Sequence, residues 1–326
     1  MNDLDRINDL IESRNKIIAN IEKKIIGQKD IIDGLLIAIF AGGHVMLTGV
    51  PGLAKTLMIT TIAKTLDLDF KRIQFTPDLM PSDIIGTEIL EQNISSGEKE
   101  FRFIKGPLFT NIILADEINR TPPKTQSALL QAMQEKEVSA GNVTYYLDMP
   151  FFVMATRNPI EQEGTYPLPE AQLDRFLFNL VIDYPDYESE VNIVKETTSG
   201  DEFEIGKVLS KEEILEIQAL VKRIPVAESI IEYAVNLARK TRPDQESSPK
   251  FTKDSVSWGA GPRAGQFLVI AAKINAIFNG RKSPEKEDVI KVAKPVLRHR
   301  IIPNFRAEAE GITPDIIIDE IIKSLN

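Results

Sequence analysis

Gly49-Val50-Pro51-Gly52-Leu53-Ala54-Lys55-Thr56 decides the reading of this chain. The octet follows a short apolar run, residues 44–48, and precedes a helical pattern carried by Leu57, Ile59, Ile62, Ala63 and Leu66. A strand that turns through small residues into a helix aims backbone N–H groups and the positive end of the helix dipole at one point, which suits a phosphate. In that context Lys55 bridges the β- and γ-phosphates of ATP and Thr56 offers a hydroxyl to Mg²⁺. The nucleotide-binding stretch is therefore expected to comprise Gly49, Val50, Pro51, Gly52, Leu53, Ala54, Lys55, Thr56 and Leu57. Ala54 stands where the pattern usually has glycine, and alanine is acceptable there if its φ is negative.

Working outward, Ile112-Ile113-Leu114-Ala115-Asp116-Glu117 reads as a buried strand ending in two acids. Asp116 is expected in the Mg²⁺ shell, and Glu117 as the general base that orients and deprotonates the attacking water. Phe152-Val153-Met154-Ala155-Thr156-Arg157-Asn158 is a second strand with a polar end. Asn158 there can bond the γ-phosphate or the water. Two arginines are candidates to neutralise phosphate charge in the transition state. Arg175 lies just before a further apolar run, and Arg263 follows Gly259-Ala260-Gly261-Pro262 at a helix start. Position alone leaves both equally open to ordinary ion pairing.

Five apolar, β-branched runs (44–48, 70–75, 111–115, 151–155 and 178–182) alternate with helical patterns, as in a parallel, doubly wound α/β sheet. Beyond Tyr184-Pro185-Asp186 the periodicity is helical throughout. The expected division is thus an α/β ATPase core over residues 1–185, with an N-terminal helix, and an all-α lid over 186–326. Ser283 before Pro284, and Thr313 before Pro314, read as N-caps with proline at the first helical position. Residues 88–105, with Ser95-Ser96-Gly97, and 138–147, with Gly141-Asn142, read as hairpin insertions.

Net charge −9 over 326 residues gives no general attraction for nucleic acid or anionic lipid. The absence of cysteine excludes disulfides and thiolate-bound zinc, and fits a reducing compartment. No apolar run spans a bilayer and the N-terminus is charged, so the expectation is a cytoplasmic protein without membrane insertion. The run Arg298-His299-Arg300 reads as a solvated helix end. His44 and His299 read as structural, Trp258 as a lid packing residue, and Asp83 and Glu88 as exposed loop. No Asn-Lys-x-Asp motif for guanine and no Leu-Ser-Gly-Gly transporter signature occur.

The P-loop, Asp116-Glu117, Asn158, Arg175 and Arg263, in that order and followed by a helical region, resemble the AAA+ ATPases. The wording is closest to the MoxR branch, through Ile26-Gly27-Gln28, residues 49–56, 115–124, 126–135, 155–159, 168–176 and 261–264. The resemblance covers nearly the whole chain. It implies an αβα core with strand order 5-1-4-3-2, a helical lid, and ring oligomers, commonly hexamers, with nucleotide between neighbours. It implies Asn158 as first sensor, Arg175 as the finger reaching the neighbour's site, and Arg263 as second sensor reporting to the lid. It also implies that Ile26 and Gly27 line the adenine pocket; Arg157 receives no role. Proteins of this branch are chaperone-like motors that mature protein complexes, often with von Willebrand factor A domain partners. The alternatives are a nucleotide-dependent assembly switch with negligible turnover and, with less support from the charge, a nucleic-acid motor.

Overall fold

In β1 (His44–Thr48) every residue is buried, because the strand lies mid-sheet with apolar layers on both faces. The structure, a computed structural model, describes residues 3–92, 99–141, 143–159, 164–198 and 204–325. Ahead of β1 come α1 (Asp3–Glu22) and α2 (Lys29–Ala41). α2 is closed by Gly42 at φ 69, which lets the Gly42 and Gly43 N–H groups bond Ile39 and Ala38 carbonyls. After β1 come α3 (Lys55–Thr65), β2 (Phe70–Gln74), α4 (Pro81–Ile85), β3 (Gly86–Gln92), β4 (Lys99–Lys105) and β5 (Ile112–Asp116). Then follow α5 (Pro123–Glu135), β6 (Glu137–Ala140), β7 (Val143–Tyr146), β8 (Phe152–Arg157), α6 (Glu170–Leu173) and β9 (Phe176–Val181).

Strands β2, β5, β8, β1 and β9 form one parallel sheet in that spatial order. Counted along the chain as five core strands, this is 5-1-4-3-2, as expected. β2, in which only Ile73 is buried, takes an edge; the apolar β5, β8 and β1 take the centre. The two-residue period of a strand divides the core into two layers. Leu47, Leu114 and Met154 face α2, α3 and the C-terminal helices, whereas Met46, Ile113 and Val153 face α5.

The two insertions are hairpins. β3 and β4 pair antiparallel from Gly86↔Lys105 to Gln92↔Lys99, and β6 pairs with β7. They lean on one another through Phe103, stacked on Tyr145 with centroids 4.4 Å apart. Ser95, Ser96, Gly97 and Asn142, the expected turn residues apart from Gly141, lie outside the described residues. Asp83 and Glu88 are not loop residues. The Asp83 carboxylate accepts the Met80 N–H at 2.8 Å and starts α4, while Glu88 lies on β3 beside Gly141.

The C-terminal part contains α7 (Tyr187–Thr198), α8 (Lys211–Arg223), α9 (Glu228–Arg239), α10 (Lys250–Ser255) and, after β10 (Val256–Trp258), α11 (Pro262–Phe278). α12 (Lys286–Leu297), β11 (Ile302–Pro303), α13 (Phe305–Ala309) and α14 (Pro314–Lys323) complete it. It is helical as expected, save for a short antiparallel ribbon of β10 and β11. Thr313 caps α14 with Pro314 at its first position, as expected. Ser283 does not cap α12. The Glu285 N–H bonds the buried Asp288 carboxylate at 2.8 Å, and this capping box starts the helix two residues later. The expected division at Pro185 falls between β9 and α7, yet the apolar layer is continuous across it, from Leu47 and Phe178 to Leu268 and Val292. α1 adds a further tie: Arg14 binds Asp33 on α2 at 2.7 Å and lies 4.7 Å over the Phe278 ring.

Candidate functional site

All five core strands run the same way, so residues that follow strands gather at one sheet edge and residues that precede strands at the other. Lys55, Glu117 and Asn158 follow strands, and Asp116 ends one. They line one cavity of about 400 Å³ with Pro51, Gly52, Leu53, Ala54, Thr56 and Leu57. Gly49 is required by a close approach: a Cβ there would come 2.7 Å from the Ile182 carbonyl oxygen. Lys55 folds back over the loop and donates to the Gly49 carbonyl at 2.6 Å. Burial lowers its pKa, and Asp116 and Glu117 partly offset this.

Ala54 corrects the sequence expectation. Its φ is +52, not negative, so the loop carries an alanine in a left-handed conformation. Such a residue is destabilised by about 1 kcal/mol relative to glycine. It precedes the first residue of α3, where the chain must reverse to point its N–H groups inward.

Both acids are engaged. Asp116 Oδ1 accepts the Thr156 hydroxyl at 2.6 Å, and Oδ2 accepts from Arg72 at 2.6 and 3.0 Å. Glu117, at φ 56, donates its N–H to Thr156 Oγ1 at 2.8 Å. Its carboxylate accepts from Gln74 at 2.8 Å and from Arg120 at 2.9 Å. Arg72, Gln74, Arg120 and Thr156 were not singled out in the sequence. A signal was present: Arg72 and Gln74 occupy alternate positions of a strand, and Gln74 sits in register with Asp116. Asn158 is buried at the end of β8, on the cavity wall.

Ile26 and Gly27 do not line this cavity. Gly27, at φ 77, abuts α7, where a Cβ would lie 2.5 Å from Ser189 Oγ.

Arg175 and Arg263 belong to the opposite edge. Arg175 precedes β9 and donates to the Leu130 carbonyl at 2.6 Å. Arg263, on the first turn of α11, pairs with Asp174 at 3.1 Å. The two line a separate cavity of about 360 Å³ with His44, the first residue of β1. A five-residue strand spans about 17 Å, so neither arginine reaches the P-loop of its own chain.

Residues 44–178 match the ATPase family associated with various cellular activities, and residues 250–321 match the AAA lid domain. The chain is 41% identical to chaperone MoxR1 of Mycobacterium tuberculosis over 97% of its own length and 82% of that protein. It belongs to the MoxR family of AAA+ ATPases. Protein MoxR of Methylorubrum extorquens is 33% identical over 91% of this chain and 90% of its own. A crystal structure assigned as an ATPase, from Cytophaga hutchinsonii, superposes with TM-score 0.91 at 46% identity, over 99% of this chain and 97% of that one.

In this MoxR-family protein the donor set fits ATP with Mg²⁺. Thr56 and Asp116 offer hard oxygen ligands beside the Lys55 ammonium, and Asp116 already holds a cation, the Arg72 guanidinium. No helix among the described residues is long and apolar enough to cross a membrane.

Three further expectations are resolved. His44 and His299 are structural: His44 is buried and lies 3.1 Å from the Met133 carbonyl, and His299 is half-buried and lies 3.1 Å from that of Phe176. Burial, with Lys136 nearby, pushes His44 down to about 3, and burial beside Arg300 pushes His299 well below its usual value. The run Arg298-His299-Arg300 is not a solvated helix end. Arg300 is buried and binds Asp174 at 2.8 Å and the carbonyls of Asp174, Phe176 and Val296; Arg298 binds Asp315 at 2.9 Å. The run packs along β9, latching α12 to the sheet. Trp258 is not a packing residue. It is 64% exposed on β10, because Gly259 after it lies against the Thr241 carbonyl and turns the strand outward.

Proposed function

We propose that this protein hydrolyses ATP at sites shared between adjacent subunits of a ring, commonly a hexamer in its family, and uses the cycle to remodel protein clients. The observation that carries the reading is the separation of Arg175 and Arg263 from the P-loop of their own chain, in one cleft at the opposite sheet edge. A ring brings that cleft to the neighbour's nucleotide. Heterologous, head-to-tail contacts close in this way.

In the reaction Lys55 leaves the Gly49 carbonyl and spans the β- and γ-phosphates. Glu117 leaves Gln74 and Arg120, accepts the proton of the attacking water at its carboxylate, and Asn158 orients that water. Thr56 and Asp116 would hold Mg²⁺, which supplies charge neutralisation between the phosphates. Arg175 of the adjacent copy meets the charge that builds on the γ-phosphoryl oxygens, and Arg263, tied to Asp174 one residue before Arg175, couples that site to the lid. Ile26 and Gly27, which lie outside the phosphate cavity, would border the adenine beyond it. The division at Pro185 makes residues 186–326 the lid that moves with nucleotide state. The clients are protein complexes under maturation, in line with the chaperone name of the Mycobacterium relative, and von Willebrand factor A domain proteins are candidate partners. The setting is the cytoplasm.

One observation favours a second reading, an assembly switch with negligible turnover: both acids are held by side chains of this chain, Asp116 by Arg72 and Glu117 by Gln74 and Arg120. ATP turnover per subunit, followed against protein concentration with Mg²⁺, tests the ring. Specific activity that climbs with concentration and is lost in Arg175→Ala supports shared sites. Turnover by isolated monomers would refute them. ATP binding without turnover at any concentration hands the reading to the switch, as would a Glu117→Gln variant that retains client function.

A further inference from the structure

We propose that Lys136 is a third cation delivered by this chain to the phosphates of the nucleotide held by the adjacent copy. The proposal rests on the shared-site reading above and extends it to a residue with no assigned role.

Lys136 ends α5 in a left-handed conformation, φ 59, immediately before the hairpin of β6 and β7. Its N–H bonds the Ala132 carbonyl at 3.0 Å, and its own carbonyl accepts the Leu147 N–H at 2.9 Å, so the backbone is fixed from both sides. Its side chain lines the same cleft as Arg175 and Arg263. The ammonium lies 2.8 Å from His44 Nε2 and 5.4 Å from the centre of the Phe151 ring.

The His44 contact does not neutralise it. The Val153 backbone N–H donates to His44 Nδ1 at 3.0 Å, and a backbone amide donates only, so Nδ1 carries no proton. The neutral ring then has its proton on Nε2, directed at the Met133 carbonyl 3.1 Å away. Lys136 therefore faces an N–H, not an acceptor. No carboxylate pairs with it among the described residues, whereas Arg263 has Asp174. Burial pushes the Lys136 pKa down to about 8, and it remains a cation at neutral pH. A partly buried ammonium beside two arginines in an open cleft calls for an anion from outside the chain. The shared-site geometry brings one there: the triphosphate on a second copy's P-loop.

The test mixes two impaired variants of the full chain. In Lys136→Met the apolar stem over Phe151 is kept and the charge removed; in Glu117→Gln the base is removed. Lys136→Met alone should assemble normally, bind ATP on its own P-loop as the unmodified protein does, and turn over at least about tenfold more slowly. In a 1:1 mixture about a quarter of the interfaces unite a P-loop side with Glu117 and a cleft side with Lys136. Turnover should then rise well above the sum of the two variants. Lys136→Arg, which retains the charge, should keep most of the rate. Arg175→Ala mixed with Glu117→Gln is the reference. Recovery there but not with Lys136→Met overturns the role of Lys136 and leaves the shared site standing. Recovery in neither mixture overturns both. Turnover of Lys136→Met at the unmodified rate also overturns the proposal. If Lys136→Met does not assemble, Lys136→Gln takes its place in the same mixture.

Discussion

Replacing Arg300 with methionine removes a guanidinium whose side chain is 2% exposed and leaves its carboxylate partner, Asp174, 27% exposed. Arg300 bonds Asp174 at 2.8 Å and donates to the Asp174 and Phe176 carbonyls at 2.9 and 2.6 Å. Breaking a buried ion pair from one side destabilises by about 3–5 kcal/mol, because the other charge is stranded. Asp174 retains Arg263 at 3.1 Å, so the lower end applies, about 3 kcal/mol. At about 2.1 cal/mol/K of unfolding entropy per residue, a chain of 326 residues shifts by about 1.5 °C per kcal/mol, so Tm should fall by about 4–5 °C. Arg298→Met provides the contrast. Its partner Asp315 is 39% exposed, and the pair contributes about 1 kcal/mol or less. Thermal and urea unfolding of the nucleotide-free variants measure both. An Arg300→Met protein as stable as the Arg298→Met one, or more stable than the unmodified chain, would refute the view that Asp174 depends on Arg300 and that the run latches α12 to the sheet.

Ala54→Gly should raise stability by up to about 1 kcal/mol, since it relieves a positive φ, less the greater freedom of glycine in the unfolded chain; a lower melting temperature would argue against strain at that position. Arg72→Met removes the cation on Asp116, and should tighten Mg²⁺-dependent nucleotide binding a few-fold, as expected for a half-exposed pair. Mg²⁺ titration with a fluorescent nucleotide reads this out, and weaker Mg²⁺ dependence would be the contrary result. Acid should destabilise the fold through His44. Its folded pKa of about 3 lies below the ordinary 6.5, so under acid conditions the unfolded chain binds a proton that the native chain does not. Stability is then lost as pH falls from 6.5 towards 3, by about 2 kcal/mol from this group between pH 6.5 and pH 5. His299 acts in the same direction. His44→Gln should flatten that slope, and an unchanged acid profile would contradict the assignment.

Much of the site is legible because it is local. Gly49 to Thr56 is one strand–loop–helix unit, and Asp116 and Asn158 are strand ends; apolar runs show where strands stop, and parallel topology then brings the stops together. Arg72 and Gln74 are harder to see, since their effect depends on β2 pairing with β5 in a register that sets Gln74 opposite Asp116. Trp258 misleads for a related reason. A lone tryptophan in a helical region usually packs, and only the pairing of β10 with β11 and the approach of Gly259 to Thr241 turn it outward.

By itself the sequence determined the strand–loop–helix unit at residues 49–56, the alternation of strands and helices, the two hairpins and the helical C-terminal part, because each rests on periodicity or on turn chemistry within a few residues; the strand order came from the family resemblance. Tertiary structure alone decided three things. It set Ala54 at a positive φ, since loop closure over Lys55 and Gly49 overrides the preference of one residue. It buried Arg300 against Asp174, 126 positions away, where charge composition suggests solvent. And it gathered Lys136, Arg175 and Arg263 at the edge of the sheet opposite the P-loop, because strand direction, which no local pattern records, determines the edge at which each charge emerges.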